Sequence, residues 1–242
     1  MVSKIVMQRV INFSGGKSSA LMTIMEYMPG DIVLFCDTGR EHPKTYKFIN
    51  DFEAFENIPV IRLSYPGGWE QFLIDKGYNY LPNRTARNCT KELKVRTARK
   101  YLLSIGVKEC QNFIGFRADE KRRVDNYDQR YVKYYPVFSL YTKGIDNQKV
   151  NDYWSKKPYT LEIPHILGNC DCCFLKGKNA IIKILKVYPE LADKWIADED
   201  KFNARYIKDI SFRQMKAIAS NNLFKNIDLD NQQPAFNCSC TT

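Results

Sequence analysis

The fold is decided by Phe13-Ser14-Gly15-Gly16-Lys17-Ser18-Ser19, a stretch that joins an apolar run at residues 8–13 to a helical pattern at residues 20–27. Its two glycines allow the backbone to approach an anion closely, and the free N–H groups of a helix start favour negative charge. Lys17 and the serine hydroxyls add donors. The spacing differs from a Walker A loop, which needs a further glycine upstream. The stretch therefore predicts a phosphate-binding loop, with an ordinary strand-to-helix turn as the alternative.

Strands and helices alternate on the C-terminal side of this loop. Further β-rich runs and helical patterns follow one another up to about residue 143, with strands predicted at 32–36, 59–63, 111–115 and 134–138 and helices near 42–53 and 93–103. Such alternation indicates βαβ units around a mainly parallel sheet. The remainder reads as helical, at 150–154, 179–187, 190–198 and 212–220. We expect an α/β domain over residues 1–143 and a helical C-terminal region over residues 144–242.

Composition excludes several classes of protein. The chain has 242 residues, of which 44% are hydrophobic and 26% charged, so disorder and coiled coil are poor interpretations. We find no apolar stretch long enough for a membrane span and no signal peptide, which predicts a cytoplasmic protein without a membrane partner. Eight cysteines in that compartment indicate metal or redox chemistry rather than disulfides.

The net charge of +10 indicates either an anionic partner or a solvated basic surface. One basic stripe holds seven residues and could surround an anionic group or follow a nucleic-acid backbone: Arg84, Arg87, Lys91, Lys94, Arg96, Arg99 and Lys100. A second cluster holds Arg117, Lys121, Arg122 and Arg123. Arginine suits phosphate or sulfate because it binds such groups through two hydrogen bonds, although Glu120 could pair with one of these arginines instead.

Several motifs together resemble the PP-loop ATP pyrophosphatase and phosphoadenosine phosphosulfate (PAPS) reductase superfamily. The phosphate loop resembles the PP-loop, and three later segments follow in the family's order: Asp37-Thr38-Gly39-Arg40-Glu41-His42-Pro43-Lys44-Thr45, Gly115-Phe116-Arg117-Ala118-Asp119-Glu120 and Tyr135-Pro136-Val137. The resemblance spans residues 10–178 and continues more weakly to 206. It implies a Rossmann-like adenine nucleotide α-hydrolase fold.

The same resemblance implies a nucleotide site at this set of residues: Ser14, Gly15, Gly16, Lys17, Ser18, Ser19, Asp37, Thr38, Gly39, Gly115, Arg117 and Arg122. Lys17 and Arg117 are the expected catalytic residues there. Ser18 departs from many adenylating members, which carry an aspartate resembling a magnesium-organising residue at this position. That departure favours the PAPS-reductase-like branch.

The cysteines point to a metal. Cys170 and Cys173 form a C-x-x-C pair, a spacing at which two thiolates can bind one metal or cluster. With Cys89 upstream, their order resembles adenylylsulfate (APS) reductases, which implies a [4Fe–4S] cluster; zinc and no metal are the alternatives. Cys240 and Cys238 are the leading candidates for the fourth ligand, and Cys172 is next. Sulfonucleotide reductases also resemble this chain in carrying a C-terminal nucleophilic cysteine, so Cys238 and Cys240 are catalytic candidates too.

These resemblances imply sulfur transfer driven by an adenine nucleotide. In the first hypothesis ATP with Mg²⁺ adenylates an acceptor, which a sulfur nucleophile then thiolates, as in the sulfurtransferases of DNA phosphorothioation and tRNA thiolation. A nucleic-acid acceptor, a sulfur donor such as a cysteine desulfurase and a homo-oligomer are the expected partners. The second hypothesis is reduction of PAPS or APS to sulfite through a cysteine thiosulfonate. A third is a nucleotide- or nucleic-acid-binding module without activity.

Overall fold

The computed structural model describes residues 7–77, 79–127, 133–164, 166–168 and 170–221. Cys238 and Cys240 lie outside these ranges, so the expectations placed on them stay predictions.

The centre of the fold is a five-stranded sheet in the order β3-β2-β1-β4-β5. Every neighbouring pair of strands is parallel, and the strands are β1 (Gln8–Asn12), β2 (Ile32–Asp37), β3 (Ile61–Ser64), β4 (Cys110–Phe113) and β5 (Tyr134–Val137). The predicted Rossmann-like α/β fold is confirmed. Because the strand order reverses between β1 and β4, the loops that leave these two strands diverge and open a crevice at the carboxyl edge. We call this the β1–β4 crevice.

Ten helices surround the sheet in the part of the chain that the structure covers. They are α1 (Lys17–Glu26), α2 (Pro43–Glu56), α3 (Gly68–Lys76), α4 (Thr97–Ser104), α5 (Lys121–Asp125), α6 (Ser139–Thr142), α7 (Asn147–Trp154), α8 (Lys178–Val187), α9 (Asp193–Phe202) and α10 (Phe212–Ser220). The helix predicted at 93–103 is extended on its N-terminal side by a π-helical segment, Cys89–Arg96, that runs directly into α4. None of the helices described here is both long and apolar enough to cross a membrane.

Two apolar layers cover the sheet. On one face α1, α2 and α7 bury a core that includes Phe13, Met22, Phe52 and Trp154. On the other face α4 lays Ala98 and Leu102 over β1 and β2. Burial of these side chains against the sheet fixes the direction in which each helix meets the carboxyl edge.

A third core holds the C-terminal helices together. Helices α8, α9 and α10 pack around Ile181, Trp195 and Phe212, and α3 joins them through Trp69 and Phe72. Sequence patterns did not predict α3, because its Gly67-Gly68 start reads as a turn. Its burial within this core explains why it forms: tertiary packing outweighs weak local propensity.

Candidate active site

The loop after β1 is tied by the hydroxyl of Ser19. This hydroxyl accepts a hydrogen bond from the Ser14 backbone N–H (3.0 Å), donates to the Gly16 carbonyl (2.9 Å) and lies 2.9 Å from the Ser14 hydroxyl. Ser19 is buried, so it shapes the loop rather than facing the opening. Gly16 occupies the N-cap of α1 and provides no side-chain cap. The first N–H groups of α1 are therefore oriented toward the crevice, where an anion would be stabilised.

Two glycines allow the backbones around the crevice to come close together. Gly15 has φ +76°, and a Cβ there would lie 2.8 Å from Cγ2 of Thr45 and 3.3 Å from a ring carbon of Phe35. A Cβ on Gly115 would lie 3.0 Å from Cα of Ser19. A larger residue at Gly15 would meet both a steric clash and an unfavourable φ.

Arg117 brings positive charge to the start of α1. Its Nη1 donates to the Ser18 hydroxyl at 3.3 Å, while Nε and Nη2 each donate to Asp119 at 2.9 Å. Burial alone would lower the pKa of Arg117, but the hydrogen bonds to Asp119 and the nearby charge of Glu120 outweigh that effect and raise it. The guanidinium thus stays charged and is held in one orientation beside the loop.

The other basic residues of the second cluster lie elsewhere. Arg122 is exposed on α5. Arg123 folds over the Phe116 ring, 4.2 Å from its centroid, and donates to Glu120 at 2.5 Å. The alternative interpretation, in which Glu120 pairs with a neighbouring arginine, is therefore realised with Arg123. Lys17 is half-buried at the start of α1, and burial lowers its pKa.

The loop after β2 reaches the same edge of the sheet. Asp37 accepts hydrogen bonds from the Gly39 N–H (2.7 Å) and from the Tyr46 hydroxyl (2.8 Å). Burial, followed by the hydrogen bond to Asp37, raises the pKa of Tyr46 and keeps it a donor. Sequence reasoning missed Tyr46; its signal is a tyrosine one turn into the helix that follows this loop. His42 caps α2 by accepting from the Lys44 N–H at 3.1 Å.

Thr38 faces away from the crevice. Its hydroxyl donates to Glu41 at 3.1 Å and lies 4.0 Å from the Cys170 sulfur. The Cys170 thiol lies 3.8 Å from the same Glu41 carboxylate, whose Oε1 is also 3.7 Å from the Lys94 ammonium. A backbone bridge joins Glu41 to Cys170. The loop after β2 thus contacts the crevice on one side and the cysteines on the other.

We use cysteine region for Cys89 together with residues 170–173. Cys170, Cys172 and Cys173 are buried, whereas Cys89 is half-buried at the start of the π-helical segment. Burial, reinforced by the charge of Asp171, raises the pKa of Cys172 well above its usual range. Asp171 also accepts from Trp195 Nε1 at 2.9 Å, which attaches the region to α9.

A buried ion pair lies behind the cysteine region. The Arg40 guanidinium lies over the rings of Trp69 and Trp195, at 5.0 and 5.5 Å from their centroids. It donates to Asp198 at 2.5 Å, and Asp198 also accepts from Trp69 Nε1 (3.0 Å) and the Tyr206 hydroxyl (2.5 Å). These contacts lock the loop after β2 onto the helical core.

The cysteine donors were tested for their fit to a metal. Within residues 7–77, 79–127, 133–164, 166–168 and 170–221, no group of three or more Cys, His, Asp or Glu side chains is arranged around one point. Cys170 is directed instead at Glu41 and Thr38. The donors among the described residues therefore do not by themselves complete a site for a cluster.

The chain is similar in sequence to one domain family and to proteins of a phage and an archaeon. Residues 8–143 match the family "Phosphoadenosine phosphosulfate reductase domain". The uncharacterized nin region protein ORF290 of Escherichia phage lambda is 31% identical over an alignment of 204 residues, and the match covers 72% of this chain and 68% of that protein. The uncharacterized protein MJ0066 of Methanocaldococcus jannaschii is 27% identical over 199 residues, 77% of this chain but 40% of that protein.

A second archaeal relative, the uncharacterized protein MJ0973 of the same organism, is 24% identical over 197 residues, 76% of this chain and 46% of that protein. The chain therefore spans less than half of either archaeal relative. Among solved structures, the phosphoadenylyl-sulfate reductase of Candida auris in its phosphate complex aligns with a TM-score of 0.45 and 17% identity, over 66% of this chain and 77% of that one.

Proposed function

The chain belongs to the phosphoadenosine phosphosulfate reductase domain family, and from this premise we propose that it binds the phosphates of an adenine nucleotide in the β1–β4 crevice and uses that nucleotide in sulfur transfer. Family membership rests on the match over residues 8–143. The choice of reaction is our proposal.

One observation carries it: Arg117 reaches from the loop after β4 to Ser18 at the start of α1. A phosphate placed between them would meet the N–H groups of α1, the Lys17 ammonium and a guanidinium already fixed by Asp119. Donors fixed before the ligand arrives stabilise developing negative charge with little reorganisation. The geometry therefore suits the displacement of a phosphate leaving group.

In the proposed reaction ATP, with Mg²⁺, is attacked at its α-phosphorus by an oxygen of the acceptor. The bond to the β-phosphate breaks, pyrophosphate leaves with the electron pair, and the acceptor is adenylated. A sulfide, or the terminal sulfur of a persulfide on a donor such as a cysteine desulfurase, then displaces AMP and forms a carbon–sulfur or phosphorus–sulfur bond. With a persulfide, a second thiol then cleaves the remaining sulfur–sulfur bond and leaves as a disulfide with the donor cysteine. Lys17 and Arg117 would neutralise the leaving pyrophosphate.

A nucleic acid is the proposed acceptor. The chain carries a net charge of +10, and exposed basic residues lie along the π-helical segment and α4, among them Lys91, Arg99 and Lys100. Charges of this sign steer a polyanion toward a surface.

A second candidate is reduction of PAPS or APS, and Ser18 favours it. The hydroxyl of Ser18 contacts Arg117 where a magnesium-organising carboxylate would suit ATP. In that reaction a thiolate attacks the sulfonate sulfur, the nucleotide leaves, and a second thiol releases sulfite as a disulfide forms. Cys238 and Cys240 are the candidate thiols.

Anaerobic calorimetric titration distinguishes the two candidates. The full chain is titrated with ATP plus Mg²⁺, with PAPS and with APS. We expect ATP to bind at least about tenfold more tightly, a difference of roughly 1.4 kcal/mol. Tighter binding of PAPS or APS by that margin would select the reductase. Arg117→Ala should weaken the binding of the preferred nucleotide. Arg213→Ala removes an exposed arginine of α10 that pairs with Asp200, and it should leave that binding unchanged.

A further inference from the structure

Helix α7 lies beyond the residues matched by the family, yet its first turn contacts the segment that carries Arg117. The Ala118 N–H donates to the Ile145 carbonyl at 2.8 Å, and the Asn147 N–H donates to Asp119 Oδ1 at 3.1 Å. The start of α7 is therefore fixed to both residues that follow Arg117.

The other end of α7 contacts the phosphate loop. Trp154 Nε1 donates to the Lys17 carbonyl at 2.9 Å, and the indole is almost fully buried. The rings of Phe48 and Tyr159 pack against it with centroids at 5.1 and 5.4 Å. This packing holds the indole in an orientation in which its N–H points toward the first turn of α1.

Together these contacts close a ring around the crevice. Arg117 contacts Ser18, Asp119 holds Arg117 with two hydrogen bonds, and α7 returns from Asp119 to Lys17 through Trp154. An arginine side chain loses considerable rotamer freedom when it is fixed by a ligand. Here that freedom is already restricted before any ligand binds, which favours affinity.

We infer that Asp119 and Trp154 are positioning residues: Asp119 aims the Arg117 guanidinium at the phosphate loop, and Trp154 holds the start of α1 in register with it. The inference rests on the proposed function in one respect, that the ligand of Arg117 is a nucleotide phosphate. The Asp119 side chain is 40% exposed although that of Arg117 is only 14% exposed, and solvent at the carboxylate screens the pair and limits its contribution to stability. Loss of Asp119 should therefore affect binding more than folding.

A double-mutant cycle tests the role of Asp119. The full-length wild type, Asp119→Ala, Arg117→Ala and the double variant are titrated with ATP plus Mg²⁺ and with PAPS. Asp119→Ala should weaken binding about tenfold in the wild type, about 1.4 kcal/mol, and less than about twofold when Arg117 is already absent. Asp119→Asn, which keeps an acceptor for the Asn147 N–H, should recover part of the loss. Asp125→Ala, which removes an exposed carboxylate paired with Lys121, is the matched control and should bind as the wild type does.

Equal losses from Asp119→Ala in both backgrounds, or no loss in the wild type, would overturn the role assigned to Asp119. If the wild type binds neither nucleotide, the proposed function fails, and the same cycle is read with inorganic pyrophosphate. A pyrophosphate affinity that depends on Asp119 only when Arg117 is present would still support the inference. Failure to bind pyrophosphate as well would overturn both.

The role of Trp154 is tested with a pair of tryptophan variants. Trp154→Phe keeps the buried ring and removes the N–H donor, and it should weaken nucleotide binding about three- to fivefold. Trp69→Phe removes an equivalent buried donor that binds Asp198 in the helical core rather than the phosphate loop, and should lower the melting temperature while leaving affinity unchanged. If the two variants change affinity equally, or if Trp154→Phe changes only the melting temperature, Trp154 has no positioning role.

Discussion

The β1–β4 crevice and the cysteine region lie on opposite sides of the loop after β2 and are built differently. Backbone geometry forms the crevice, through Gly15, Gly115 and the uncapped start of α1. Side-chain contacts, such as the ion pair of Arg40 with Asp198, surround the cysteine region. The first arrangement is ready for a ligand, whereas the second, as far as the structure describes it, anchors a loop.

The strongest test of this contrast removes the anchor. Asp198→Ala leaves Arg40 buried between two tryptophans without its carboxylate, and we expect the free energy of unfolding to fall by about 3–5 kcal/mol. Urea denaturation measures the change. Asp200→Ala on the same helix breaks an exposed pair with Arg213 and should have little effect. Similar losses in both variants would show that the buried pair is not a special anchor.

The crevice has its own test in Gly15. Gly15→Ala adds a Cβ that meets Thr45 and Phe35 at a residue with positive φ. We expect the free energy of unfolding to fall by about 3 kcal/mol and nucleotide binding to be lost. Gly106→Ala separates the two causes, because Gly106 has φ +83° but no atom within 4 Å of the added Cβ. Gly106→Ala should lower the free energy of unfolding by about 1 kcal/mol. Equal losses would mean that backbone strain alone, rather than close packing, requires glycine at position 15.

A smaller effect is expected from charge in the crevice. Lys17→Ala should weaken nucleotide binding about tenfold, roughly 1.4 kcal/mol, with an unchanged melting temperature. Lys178→Ala is a matched control because Lys178 is also the first residue of a helix that follows a glycine N-cap. Calorimetry on both variants measures the difference. If the two variants bind nucleotide equally well, Lys17 does not contact the phosphates.

How much could be predicted from sequence differs between the two regions. The phosphate loop leaves a local pattern because a glycine at positive φ and a helix start impose local requirements, whereas Arg117 was predicted from the family resemblance. The ion pair of Arg40 with Asp198 joins residues that are 158 positions apart. Asp119 accepts from the N–H of Asn147 at the start of α7, although many other donors in the sequence could have paired with it. Such pairings depend on packing that no short pattern encodes.

The basic stripe divides into a buried part and an exposed part, which the sequence pattern did not distinguish. The side chain of Lys94 is buried beside Glu41, whereas Arg96 is exposed and pairs with Glu92. The π-helical segment brings Lys94 inward, since its wider turn changes which residues share a face. The exposed part of the stripe therefore does not include Lys94.

The smallest expected effect is a difference in the alkylation rates of individual cysteines, which is measured without changing the sequence or the stability of the protein. Burial raises the pKa of Cys36 and of Cys110 to about 11, so at pH 8 only about one thiol in a thousand is the reactive thiolate. In the anaerobic, chelator-treated native protein, iodoacetamide should label half-buried Cys89 well before these two strand cysteines, as peptide mass spectrometry can follow. Raising the pH from 8 to 10 should increase the thiolate fraction at Cys36 and Cys110 about a hundredfold, since each pH unit below the pKa changes it tenfold. If Cys110 is labelled as fast as Cys89 at pH 8, the strand cysteines are not buried in the core. The thiols of the cysteine region and of the sheet would then not differ in reactivity.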